Sequence, residues 1–167
     1  MMSEAARPVT RHLADETATE ALGEFLGERL QRGQAVALIG ELGAGKTCLA
    51  RGLGRGLGLD HPGAVCSPTY LLVIEHPGPV PMLHVDAYLP EKTRRFLEDG
   101  GLDYVAESAG VMVVEWADRL ADLLPEETLE LTLRPVPGGS GREAILVDRT
   151  GGAFEWLAQA PEFRNNV

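Results

Sequence analysis

The sequence predicts a layered α/β fold, with a mostly parallel central sheet flanked by helices and late antiparallel strands. Three observations lead there. Strand-like apolar runs alternate with helical patterns at both ends of the chain. The apolar run AVALI, residues 35–39, empties into GELGAGKTCL, residues 40–49, where three glycines crowd a lysine and a threonine. A second unbroken apolar run, VMVV at residues 111–114, delivers a carboxylate, Glu115, at its tip.

Residues 1–14 read as a loose leader, and residues 15–167 as one domain. The segment DETATEALGEFLGERL, residues 15–30, sets Ala18, Leu22, Phe25, Leu26 and Leu30 on one helical face, with Asp15 as the N-cap. QAVALIG is a buried strand ending at Gly40. A helix follows from Lys46, with Leu49, Leu53 and Leu57 a turn apart; Gly52, Gly54 and Gly56 weaken it, each by up to about 1 kcal/mol relative to alanine. Packing must hold that helix, or a neighbour must approach its backbone closely. YLLVIEH and PMLHVDAY are strands separated by the prolines of HPGPVP. EKTRRFLEDGGLDYVAES is helical in part, GVMVVEW a buried strand, and ADRLADLL a short helix. LELTLRP and EAILVDR are the late strands, joined by VPGGSG, and a last helix starts near Ala153.

A chain of 167 residues that is 44% apolar suits one domain with a real core. Its net charge of −10 is uneven. Residues 1–59 carry seven basic and seven acidic side chains; the remaining eight basic and eighteen acidic ones follow. Such a surface repels phosphate backbones, disfavours direct nucleic-acid binding, and attracts a basic partner. No signal-peptide pattern opens the chain and no apolar run approaches a membrane span, so a cytoplasmic location with reduced thiols is expected. Cys66 is expected to be a small packed residue, and no cysteine–histidine cluster suggests a metal site.

Gly40, Gly45, Lys46 and Thr47 fit G-x-x-x-x-G-K-[ST], the P-loop pattern, which assigns the chain to the P-loop NTPase fold. The physical logic is complete. Side chains are removed where backbone N–H groups must converge on an anion, and the helix starting at Lys46 aims its positive end at the same place. Lys46 adds a point charge for the β- and γ-phosphates, and the Thr47 hydroxyl can hold Mg²⁺. Two strand-end carboxylates are candidates beside that metal, Asp86 in HVDAY and Glu115 in VMVVEW. His84 shares a strand face with Asp86; it is as readily a packed histidine as a functional one. Trp116 is expected to pack. No N-K-x-D segment is present, since the two asparagines are Asn165 and Asn166, so adenine is the favoured base.

The ordered set GELGAGKT, SPTY, HVDAY and VEW resembles the TsaE (YjeE) family, the small P-loop ATPases of bacterial tRNA threonylcarbamoyladenosine (t6A) biosynthesis. The resemblance runs from about residue 16 to residue 142. It implies ATP/ADP and Mg²⁺ binding, weak hydrolysis alone, and work with the TsaD–TsaB pair, tRNA being reached only through that complex. It implies a phosphate cradle of Gly43, Ala44, Gly45, Lys46, Thr47 and Cys48. Thr47 and Glu115 would hold Mg²⁺, Asp86 would serve hydrolysis alongside Lys46, and Glu16 and Arg142 would touch the nucleotide. The SPTY segment would behave as a switch loop.

The chain departs from the family pattern in two places. Leu89 stands where the family usually has arginine after HVDAY, leaving Arg94 or Arg95 as substitutes or as solvated helix residues. Cys48 stands where a second threonine is usual. Two other function classes remain at this point. One is a small-molecule kinase, for which EKTRR is the faint candidate lid. The other is a nucleotide-binding module that does not hydrolyse.

Overall fold

The computed structural model describes residues 6–68, 72–107 and 109–163. Seven strands form one sheet in the order β1-β7-β6-β2-β5-β4-β3. They are β1 (Val9–Leu13), β2 (Ala35–Ile39), β3 (Val73–His76), β4 (Met82–Asp86), β5 (Val111–Glu115), β6 (Thr128–Pro135) and β7 (Arg142–Asp148). The four inner strands β6, β2, β5 and β4 are parallel. The flanking pairs β6–β7, β1–β7 and β3–β4 are antiparallel. Strands β4 and β5 are buried along their whole length, as strands between two layers must be, and β4 buries His84 and Asp86 among its apolar residues.

Even-numbered positions of β2 and odd ones of β5, Val36, Leu38, Val111 and Val113, pack against helices α1 (Glu16–Gly27) and α2 (Lys46–Leu57). The opposite face, with Ala35, Ala37, Leu83, Val85, Met112 and Val114, is covered by Leu97 and Leu120. Those come from the stretch holding the short helices α3 (Pro90–Phe96) and α4 (Leu102–Glu107) and a 3₁₀ turn at Ala117–Leu123. The expected N-cap holds, for Asp15 Oδ1 accepts from the Ala18 N–H at 2.8 Å.

The glycines that weaken α2 have a reason in the packing. A Cβ on Gly52 would lie 2.1 Å from the Glu20 carbonyl oxygen, and one on Gly56 would lie 2.2 Å from that of Glu24. Gly23 and Gly27 of α1 return the same closeness toward Leu49 and Leu53. The two helices therefore touch backbone to backbone, and no side chain can yield. Gly52→Ala is expected to destabilise the fold by about 3 kcal/mol, despite alanine's better helix propensity, because overpacking against a carbonyl outweighs the ~1 kcal/mol propensity gain. Chemical denaturation checks it; unchanged or raised stability would mean the helices separate freely.

Two expectations need correction. The stretch read as a loose leader contributes β1, which pairs antiparallel with β7 from Val9↔Leu146 to Leu13↔Arg142. Leu13 is fully buried, and the Arg11 guanidinium donates to the Ala160 carbonyl at 2.9 and 2.7 Å. An edge strand needs few apolar side chains, so VTRHL carries too little alternation to be recognised. The expected final helix is instead a 3₁₀ turn, Glu155–Gln159. Asp148 accepts from Thr150 and the Phe154 N–H, and Gly151 and Gly152 adopt positive φ, which curls the chain before a full helix can start. ADRLADLL is likewise helical, but as the 3₁₀ turn.

Candidate nucleotide site

The C-terminal ends of the parallel strands β2, β4 and β5 lie side by side, which is where open α/β sheets place their ligands. Strand β2 delivers the glycine-rich loop there. Asp86 ends β4 and Glu115 ends β5, as neighbours in register. Gly40 must be glycine because a Cβ would lie 2.7 Å from the Leu133 carbonyl. Gly43 (φ 78°) and Gly45 (φ 103°) take left-handed conformations that turn the loop and start α2 without a side-chain cap. The first N–H groups of α2 are thus free of any capping side chain and face the cleft, a cradle suited to an anion.

The cleft has a volume of about 440 Å³. Gly43, Ala44, Gly45, Lys46, Thr47 and Cys48 form its floor, with Glu16, Leu42, Ser67, Tyr88, Glu115 and Trp116 as walls. Lys46 is buried, and its Nζ donates to the carbonyls of Gly40 at 2.6 Å and Glu41 at 2.9 Å. Nζ also sits 4.2 Å from the centre of the Trp116 ring. Burial lowers the Lys46 pKa, and attraction to Glu115, Asp86, Glu41 and Asp118 opposes that shift. The lysine is therefore the cation at the centre of a group of carboxylates.

Thr47 Oγ1 donates to Glu115 Oε1 at 3.2 Å, and Glu115 is 3% exposed. The pair offers only oxygen donors, a hydroxyl and a carboxylate, at the edge of an anion cradle. That donor set fits a hard divalent cation sharing its coordination with phosphate and water. Asp86 is buried and tied into its surroundings. Its Oδ1 accepts from the Tyr88 N–H at 2.7 Å, its Oδ2 from the Ser67 hydroxyl at 3.2 Å, and its carbonyl from Thr93 at 2.8 Å. Ser67 and Tyr88 form the wall in front of it. Of the SPTY segment, Thr69 and Tyr70 lie outside the described residues. His84, as expected, shares the face of Asp86, and its Nε2 is 2.8 Å from Glu115 Oε1.

Glu16 stands exposed at the rim, where its carbonyl accepts from the Cys48 thiol at 3.4 Å. Burial raises the Cys48 pKa, with help from Glu20 and Glu16, so that thiol stays protonated at neutral pH. Arg142, at the start of β7, donates from Nε to the Ala44 carbonyl at 3.2 Å and from Nη2 to that of Gly43 at 3.0 Å. It holds the loop from below and lines, with Glu16, a narrower recess of about 230 Å³ behind the loop. Cys66 is exposed rather than packed.

Neither proposed substitute for the missing arginine reaches the cleft. Arg94 is engaged with both oxygens of Asp122, at 2.7 and 2.9 Å. Arg95 and Lys92 line a separate groove with Phe96 and Tyr104, which shares no lining residue with the loop cleft. Sequence reading missed Arg119. Its guanidinium donates to the Tyr88 carbonyl and stacks 4.8 Å from the Trp116 ring centre and 5.3 Å from that of Tyr88. The signal was the spacing in EWADR, because a 3₁₀ turn sets residues three apart over one another. Trp116 itself takes φ 58°, an uncommon conformation for a bulky residue, immediately after Glu115.

The family model for threonylcarbamoyl adenosine biosynthesis protein TsaE matches residues 13–143. A tRNA threonylcarbamoyladenosine biosynthesis protein TsaE from Streptomyces coelicolor is 43% identical over 81% of this chain and 91% of its own. Proteins of the same name are 36% identical in Treponema pallidum, over 80% and 95% of the two chains, and 31% identical in Bacillus subtilis, over 89% and 90%. The crystal structure of Bacillus subtilis YdiB superposes with a TM-score of 0.73 at 26% identity, covering 94% of this chain and 95% of that one.

Proposed function

The chain belongs to the TsaE family of threonylcarbamoyl adenosine biosynthesis proteins, and from that premise we propose that it is a Mg²⁺-dependent ATPase, weak alone, that serves the TsaD–TsaB pair in tRNA t6A formation. The observation that carries the reading is the meeting of Thr47 and Glu115 at 3.2 Å beside the Lys46 loop. Strand, loop and helix converge there on a place where a triphosphate and its cation could share ligands.

In this reading the loop N–H groups and the α2 N-terminus take the phosphates. Lys46 leaves the Gly40 and Glu41 carbonyls for the β- and γ-phosphates, trading two neutral acceptors for anionic ones. Thr47 and Glu115 hold Mg²⁺, which when bound neutralises charge developing on the phosphates. Asp86 orients the attacking water through the wall formed by Ser67 and Tyr88. Arg142 keeps the loop in shape, and the recess it shares with Glu16 suits the adenosine end. Phosphoryl transfer asks mainly for positioning and charge stabilisation, which this set supplies. The separation of the Lys92/Arg95 groove from the cleft weighs against a kinase acceptor site, since an acceptor must lie in line with the γ-phosphate.

The partner dependence is tested by phosphate release with and without the TsaD–TsaB pair. Release is expected to rise several-fold with the pair, and the gain to shrink between about 50 and 300 mM salt as the acidic half of the chain is screened. Fast turnover alone, indifferent to the pair, would remove the accessory role. Nucleotide binding without any release, with or without the pair, would leave the non-hydrolysing module. Phosphorylation of an added metabolite would establish the kinase.

A further inference from the structure

We propose that His84 is a positioning residue for the metal site: its Nε2–H holds the Glu115 carboxylate in the orientation that meets Thr47. The inference rests on the proposed Mg²⁺ role of Thr47 and Glu115. His84 is fully buried in the middle of β4, and its ring reaches across to β5, where Nε2 lies 2.8 Å from Glu115 Oε1. The same oxygen accepts the Thr47 hydroxyl at 3.2 Å. One carboxylate oxygen is thus pinned from both sides, by α2 and by β4.

The ring's other nitrogen decides the tautomer. His84 Nδ1 is buried and has no hydrogen-bond partner among the described residues. A neutral imidazole carries one N–H; on Nδ1 it would have no acceptor and would leave the Nε2 lone pair facing an anionic oxygen 2.8 Å away. The proton therefore belongs on Nε2, where a carboxylate receives it. The neighbouring ring, His76, stands 6.2 Å away centre to centre, and burial lowers its pKa, so it supplies no charge to disturb this arrangement at neutral pH. A carboxylate ligand fixed by an outer hydrogen bond binds its cation more tightly than one free to rotate. Packing alone would have been served by leucine at this position.

Counting bonds gives the test. A glutamine amide nitrogen sits as many bonds from Cβ as histidine Nε2 does, and an asparagine amide nitrogen matches Nδ1. ATP binding to the folded protein is measured by titration calorimetry across Mg²⁺ concentrations and again in EDTA, with melting temperature recorded for each variant. His84→Leu and His84→Asn are expected to raise the Mg²⁺ concentration for half-maximal ATP binding about tenfold, while His84→Gln stays within about twofold of the parent. Affinity in EDTA should be the same in all. Should His84→Leu fail to fold, the glutamine–asparagine comparison carries the result. Variants that melt earlier but keep the parent's Mg²⁺ dependence overturn the inference and leave His84 a core residue. Parent binding that ignores Mg²⁺ overturns the metal reading as well. In the nucleotide-free protein, nitrogen–proton correlation spectra should show the Nε2–H tautomer; an Nδ1–H tautomer would also overturn it.

Discussion

Lys46→Ala is expected to lower ATP affinity by about 100-fold or more while leaving the fold intact. Two charge-assisted phosphate contacts at about 1.5 kcal/mol each account for that much. The surroundings add to it. Glu115, Asp86, Glu41 and Asp118 all act on this ammonium. Without it, the cleft presents uncompensated carboxylates to an incoming triphosphate. The fold should survive because Lys46 gives up only two part-buried hydrogen bonds, to the carbonyls of Gly40 and the exposed Glu41, and its burial already costs its charged form. Calorimetric titration with ATP and a melting curve check both halves. Unchanged affinity in a folded Lys46→Ala protein would end the P-loop reading.

Glu115 and Asp86 are expected to fail differently. Glu115→Ala removes the oxygen that meets Thr47 and His84, so Mg²⁺-dependent ATP binding should fall by about tenfold or more, with binding in EDTA retained. Asp86→Ala should bind ATP within a few-fold of the parent and release phosphate about 100-fold more slowly, as a lost positioning group does. Asp86 also holds Ser67 and the Tyr88 N–H. Asp86→Asn is the sharper probe, since its amide oxygen can still accept from Tyr88 while the negative charge is gone. Titration of each variant across Mg²⁺ concentrations, with phosphate release in parallel, separates the two roles. Loss of Mg²⁺-dependent binding in Asp86→Asn, with Glu115→Ala unaffected, would move the metal ligand to β4.

Much of this architecture was legible because strong local patterns coincide with it. The apolar runs of β2 and β5 are unbroken since both sheet faces are covered, and the loop motif announces its own geometry. The face of Ala18, Leu22, Phe25, Leu26 and Leu30 is the face that packs. Other features depend on partners distant in sequence. β1 is a strand only because β7 offers it an edge, and nothing within VTRHL says so. The α2 glycines looked like a weakness until α1 was placed against them. At the site, the loop and the two carboxylates were legible from type and position. The shared oxygen of Glu115, the clasp of Arg142 on Gly43 and Ala44, and the stack of Arg119 on Trp116 were not, because each joins elements whose closeness only the sheet order creates.

That sheet order also governs when the site exists. β2 lies between β5 and β6, so Ala35 pairs with Met112 on one side and Thr128 on the other. The strand and its loop leave the ribosome early, yet neither neighbour is made until much of the chain has followed. Closing such long intervals is entropically costly and slow compared with local helix formation. Residues 142–148 must follow before β1 finds an edge to join, and Arg142 arrives only then to grip the loop. Assembly of the proposed phosphate cradle is thus expected to be a late event in synthesis. A nascent chain halted before residue 111 carries the whole GELGAGKT motif but lacks both strands that flank β2, so the loop is expected not to take its folded shape.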